Sequence, residues 1–151
     1  MALIKPTRGA QYVMCSEYAF TFSDTVVDIN GVTKDYGTTI ASAPVADIIN
    51  LPPFTEVVGG QVTIVVQGVG PTAYTISLGV AGATTAYVSA ADLLSAINTK
   101  VILTYANPRA SSTGLNVRLT MVDSVAAATA GSWRISVLWK TDGKADNATP
   151  A

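Results

Sequence analysis

Histidine is absent from this chain of 151 residues, and cysteine occurs once, at Cys15. Without histidine there is no Ser-His-Asp relay, no Cys-His pair and no histidine-based zinc site. A single cysteine allows no intramolecular disulfide, so synthesis and function in a reducing cytoplasm fit best. Charge is scarce as well: Asp, Glu, Lys and Arg make up 13% of residues, and nine basic against ten acidic side chains leave a net charge of −1. No Lys/Arg run is present to track a phosphate backbone, which argues against nucleic acid as a partner. The longest apolar stretches are short and broken by Gly, Thr or Ser, so none is expected to span a membrane. The opening Met1-Ala2-Leu3-Ile4-Lys5-Pro6 lacks the continuous apolar region of a secretory signal. A weakly charged surface repels neighbours poorly, which suits a protein that works packed against others.

What remains is apolar and small: 49% of residues are hydrophobic, in a chain of ordinary single-domain length. Period-two alternation dominates. Tyr18, Phe20 and Phe22 alternate with Glu17, Ala19, Thr21 and Ser23. Val62, Ile64 and Val66 alternate with Gln61, Thr63 and Gln67. Tyr74, Ile76, Leu78 and Val80, then Val117, Leu119 and Met121, then Trp133, Ile135, Val137 and Trp139 repeat the pattern. One apolar and one polar face per strand predict antiparallel sheets, two of which face to face make a sandwich. Asn30-Gly31 predicts a tight hairpin between 26–29 and 32–35, and Gly68-Val69-Gly70-Pro71 predicts the closure of another strand pair. Ser89-Ala90-Ala91-Asp92 ahead of Leu93, Leu94 and Ile97 has the pattern of a capped helix, which predicts one short helical excursion near residues 89–98. The expectation is an all-β antiparallel sandwich over residues 10–141, an extended arm at 1–9 and a flexible polar tail at 142–151.

Candidate chemistry is thin. Cys15 sits in the strand-like run Tyr12-Val13-Met14-Cys15 with no histidine partner, and reads as a small buried filler. Asp24, Asp28 and Asp35 flank one hairpin, but their spacing fits no calcium loop, so they read as solvated turn residues. A Glu17–Asp pair for sugar hydrolysis has nothing to support it. Gly59-Gly60 and Gly68/Gly70 open no helix and are no phosphate cradle. Trp133 and Trp139 are in phase with Ile135 and Val137, as core or rim. Tyr36, Tyr87 and Tyr105, at strand ends or loops, are candidates for a sugar-stacking platform or a protein hot spot, with a structural role favoured for each. No catalytic, cofactor or metal site is expected, and binding is the function that remains.

The order of motifs adds a resemblance. Phe20-Thr21-Phe22-Ser23-Asp24-Thr25 leads into Asn30-Gly31, and Leu51-Pro52-Pro53 precedes Val58-Gly59-Gly60-Gln61-Val62-Thr63-Ile64. The strand of Tyr74, Ile76, Leu78 and Gly79 follows, and Val125-Ala126-Ala127-Ala128-Thr129-Ala130-Gly131 precedes the strand from Trp133 to Trp139. Over about residues 17–140 this resembles the capsid cement or decoration proteins of tailed bacteriophages. The resemblance implies a jelly-roll fold and a place on the capsid exterior after assembly in the bacterial cytoplasm. It also implies two partners, the major capsid protein and the chain itself as a dimer or trimer. A receptor- or carbohydrate-binding module of a phage fibre is the alternative. Leu3, Ile4, Lys5 and Arg8 of the arm, which lie outside the matched motifs, are the expected capsid-binding residues because arms of this kind order on a partner surface.

Overall fold

A computed structural model describes residues 13–37, 43–104, 112–123 and 126–141. Among these the chain forms ten strands: β1 (Met14–Thr21), β2 (Thr25–Val27), β3 (Thr33–Asp35), β4 (Val45–Leu51), β5 (Thr55–Val69), β6 (Tyr74–Val80), β7 (Ala83–Asp92), β8 (Lys100–Ile102), β9 (Leu115–Asp123) and β10 (Ala130–Thr141). Every pairing is antiparallel. One four-stranded sheet runs β1-β10-β5-β8, a second runs β4-β9-β6-β7, and β2 pairs with β3 as a separate hairpin.

The alternation in the sequence places the core. In the first sheet the row Tyr18–Ile135–Val62–Val101 lies in register, with Phe20–Trp133–Ile64 beside it. In the second, Leu119 pairs with Leu78, and Met121 with Ile76. These side chains meet in a single buried cluster to which both sheets contribute, the arrangement of a β-sandwich. Trp133, Ile135, Leu78 and Leu119 are fully buried, and each such side chain contributes about 1.5–3 kcal/mol by leaving water. Trp139 takes the rim, half-buried, its indole N–H donating to Ser16 Oγ at 2.9 Å.

The strand layout changes three sequence expectations. Residues 89–98 contain no helix: Ser89 to Asp92 complete β7, with Ala91 paired to Ile76 and Asp92 to Thr75. A bulge at Ala90 (φ 49°) mimics the irregularity of a helix start, and its N–H donates to Ser77 Oγ. The following residues are needed elsewhere. Gly68 N–H donates to Leu93 O, Asn98 N–H to Ile64 O and Ile64 N–H to Thr99 O, so the segment closes the side of β5 beyond β8. A helix would withhold those groups. Asp92 caps a turn rather than a helix, its carboxylate accepting Leu94 N–H at 2.9 Å. Gly68 to Pro71 closes no hairpin either, because β5 and β6 belong to different sheets and the segment is a crossover. Cys15 is exposed, not buried, because its odd position in β1 puts it on the outer face, opposite Leu138.

Candidate docking surface

Among the described residues no group of three or more His, Cys, Asp or Glu is placed to hold a metal ion. No helix there is long and apolar enough to cross a membrane. The polar organisation that does exist serves to fix one flank of the sandwich.

That flank is built from β1, β4 and the β2–β3 hairpin that joins them. Its root is an aromatic cluster. Tyr36, directly after β3, packs on Phe20 with ring centroids 4.5 Å apart, and Phe20 packs in turn on Trp133 at 5.3 Å. Tyr74 meets Trp133 edge-on at 5.1 Å, a favoured aromatic geometry. Three polar links lock the cluster. The Tyr18 and Tyr36 hydroxyls share a 2.7 Å hydrogen bond, Tyr74 donates its O–H to Tyr36 O at 2.7 Å, and Trp133 donates its indole N–H to Leu93 O at 3.2 Å. Burial, reinforced by the Tyr18 contact, pushes the Tyr36 phenol far above its ordinary range; burial does the same to Tyr74. These hydroxyls are neutral structural ties.

The hairpin is hydrogen-bonded to its tip. Asn30-Gly31 turns as the sequence predicts, with Gly31 at φ 78°, a conformation that favours glycine. Asp28, read from sequence as solvated, is buried. Its carboxylate accepts the N–H of Asn30 at 2.8 Å and of Val32 at 3.0 Å, and pairs with Lys34 Nζ at 3.4 Å. The Val32 N–H, with smaller help from Asn30 and Lys34, holds that carboxyl below the usual carboxylate range against the opposing effect of burial. Asp24 and Asp35 also serve turns, accepting Thr21 N–H and Gly37 N–H, each at 2.7 Å. Around this locked turn three aliphatic residues face solvent: Val27 (60% exposed), Ile29 (48%) and Val32 (54%). Ile29 N–H donates to Val45 O, tying the tip to the start of β4. A preorganised apolar tip is suited to docking, because little conformational freedom is left to lose on binding.

Several charges on the outer sheet faces are paired. Arg118 grips Asp47 through two N–H bonds at 2.7 and 3.1 Å, and this contact is the main cause of Asp47's lowered pKa. Lys140 pairs with Glu56 at 3.0 Å, and Glu17 accepts from Ser136 Oγ at 2.9 Å.

The sequence candidates are scattered. Tyr36 and Tyr87 are fully buried, which removes both from any sugar-stacking platform. Tyr105, the arm residues Leu3, Ile4, Lys5 and Arg8, and the tail 142–151 lie outside the described residues. Sequence reasoning misses Val27, Ile29 and Val32 as surface residues; their available signal is a cluster of aliphatics touching a turn motif, where burial is hardest to achieve.

A β-sandwich with a separate two-stranded hairpin is the class these observations define. No family model matches the sequence, and no curated protein matches it. Among solved structures the fold is similar to a chain of the cyanophage Pam1 capsid asymmetric unit. The TM-score is 0.64 over 93% of this chain and 94% of that one, at 22% sequence identity.

Proposed function

We propose that the chain is a non-catalytic structural protein of a phage virion. It binds the outer surface of the capsid and cements neighbouring major capsid subunits, after assembly in the bacterial host cytoplasm. The observation that carries this reading is the fold shared along nearly the whole of both chains with a component of a cyanophage capsid. The motif resemblance, which rests on sequence alone, points the same way. Strand order supports the jelly-roll form of the sandwich. With the β2–β3 hairpin set aside, the eight remaining strands fall into sheets ordered first-eighth-third-sixth and second-seventh-fourth-fifth. The outermost pair of the chain thus lies beside the next pair inward, the double Greek-key winding of capsid jelly rolls.

On this reading the arm residues Leu3, Ile4, Lys5 and Arg8 and the hairpin tip at Val27, Ile29 and Val32 contact the shell. The chain self-associates, and many copies stabilise the mature lattice by binding it in preference to other states. The test is co-sedimentation of the purified protein with mature capsids lacking it, beside unexpanded procapsids. Saturable binding to mature shells with a raised shell melting temperature is expected. Absence of binding to either shell overturns the reading. Deletion of residues 1–9 is expected to leave the fold's melting temperature unchanged and to abolish attachment.

A further inference from the structure

Four strands lie at the edges of the two large sheets, and three of them are closed. On β4, Val45 O is occupied by Ile29 N–H, and the register slips between Asp47 and Ile49. On β7, Tyr87 O accepts both the N–H and the hydroxyl of Thr104. The edge strand β8 has only three residues. Bulges, short edges and covering segments are the ordinary devices against unwanted pairing.

Strand β1 has none of these among the described residues and carries a single charge, Glu17. Its eight residues contain no Pro or Lys and pair with β10 without a register shift, from Met14↔Trp139 to Thr21↔Ser132. Phe22 N–H donates to Gly131 O, continuing the same register. Because hydrogen-bonded pairs alternate along an antiparallel ladder, the even residues of β1 bond to β10, and the odd residues point their N–H and C=O away from it. Thr21 N–H is taken by Asp24 Oδ2, which ends the free run. Within β1, Cys15, Glu17 and Ala19 remain, evenly spaced and with no backbone partner among the described residues. Their side chains share the outer face, where Cys15 and Ala19 are small.

We propose that this edge pairs with β1 of a second copy, antiparallel, about a two-fold axis through Glu17. The free run is symmetric about Glu17, so this register sets Cys15 opposite Ala19 of the copy at both ends and Glu17 opposite Glu17. Every N–H and C=O of the free run then finds a partner at once. The two outer faces become one continuous eight-stranded sheet. A two-fold contact uses the same patch on both chains, as this self-complementary run requires. The inference specifies the self-association named above, and it is tested without capsids, so its failure and the failure of the capsid reading are distinguishable.

Light scattering coupled to size exclusion, from micromolar to millimolar chain concentration, is expected to show a monomer–dimer equilibrium. Ala19→Pro removes one free-edge N–H and none that β10 uses, so it is expected to keep the wild-type circular dichroism and melting temperature while remaining monomeric. Ala19→Cys provides a second test that does not depend on a proline. Opposed residues in such a pair have Cα atoms about 5.5 Å apart. A short bismaleimide should therefore join the introduced thiol of one chain to Cys15 of its copy, giving a covalent dimer. Wild type should not cross-link, because the two Cys15 positions lie about 14 Å apart, four residues of strand rise. Glu17→Gln removes a like-charge pair at the axis and is expected to tighten the dimer about two- to fivefold. A wild-type chain that stays monomeric throughout, an Ala19→Pro chain that dimerises normally, or cross-linking indifferent to Ala19→Cys overturns the proposal.

Discussion

Gly131→Ala is the substitution most directly dictated by the packing of the core, and its cost separates into two parts. Gly131 sits at φ 145°, and a Cβ built there would lie 2.2 Å from Cη2 and 2.3 Å from Cζ2 of Trp133. The backbone conformation alone disfavours a side chain by about 1–3 kcal/mol. Overlap with a ring clamped between Phe20 and Tyr74 adds about 1–3 kcal/mol, the usual cost of overpacking. The expected loss is therefore about 2–6 kcal/mol, a large share of the 5–15 kcal/mol that holds a typical domain together. Trp133→Phe removes the carbons that collide, together with the N–H that donates to Leu93 O, at about 1.5–3 kcal/mol.

In the double variant the overlap is gone and only the backbone strain persists. The two substitutions should therefore be less harmful together than their sum, by about 1–3 kcal/mol. Urea unfolding followed by far-UV circular dichroism, which does not rely on the altered indole, measures all four corners of the cycle. Additivity within about 0.5 kcal/mol would falsify the claim that Trp133 is what excludes a side chain at residue 131.

Other consequences are simpler to state. Tyr87 is fully buried and its hydroxyl has no hydrogen-bond partner among the described residues, so Tyr87→Phe should be neutral or stabilise by about 1 kcal/mol in the same unfolding assay. Burial pushes the Tyr87 phenol up to about 12, and those of Tyr36 and Tyr74 higher still. Raised folded values mean that stability is fully present below the unfolded tyrosine pKa, about 10, and is lost as pH rises through the folded values. Alkaline unfolding with simultaneous tyrosinate absorbance is the expected record; ionisation of these phenols in a folded chain near pH 10 would contradict it. Asp28 and Asp47 have lowered folded values, so their contribution is present above the ordinary carboxylate pKa and is lost as pH falls through the folded ones. Asp47→Asn should flatten the acid limb of a melting-temperature profile. Tyr74→Phe should cost about 1–2 kcal/mol by leaving Tyr36 O without its 2.7 Å donor.

Legibility from sequence followed the regularity of each strand. Strand β6 occupies Tyr74–Val80, the span that alternation predicts, and β9 and β10 were readable because each buries every second residue over most of its length, whereas β1 buries only Phe20 and begins at Met14, ahead of the alternation at 17–23. Strand β4 was hidden by the bulge after Asp47, which puts Ile48 and Ile49 side by side, and β8 is too short to carry a period. Strand β7 opens with Ala83-Thr84-Thr85-Ala86, too small and polar to signal burial, and its end copied a helix cap. Glycine misled at Gly68–Pro71, which leads from the end of β5 into a crossover between sheets and not into a paired strand. The candidate site was less legible still. Alternation tells which face a side chain takes, but whether an edge is covered depends on distant groups such as Thr104 against Tyr87. Asp28 shows the same limit, since its type suggests a wet turn and only the fold encloses it.

The proposed self-association and the proposed capsid binding place geometric demands on each other. In an antiparallel β1 pair centred on Glu17, the two Val13 positions point in opposite directions and lie about 27 Å apart, eight residues of strand rise. Each chain continues from there into the segment that carries Leu3, Ile4, Lys5 and Arg8. On the proposed function each chain carries one capsid-binding segment, so a dimer offers two, entered from points about 27 Å apart, whereas a monomer offers one. Binding at both ends makes the second contact intramolecular, which raises overall affinity about 10²-fold or more without any new kind of contact. An Ala19→Pro chain with an intact arm should then still bind mature shells, but about 10²-fold more weakly and without raising the shell's melting temperature. Shell stabilisation equal to wild type by that monomer would show that cementing needs no second copy, and the edge of β1 would lose its part in the mechanism.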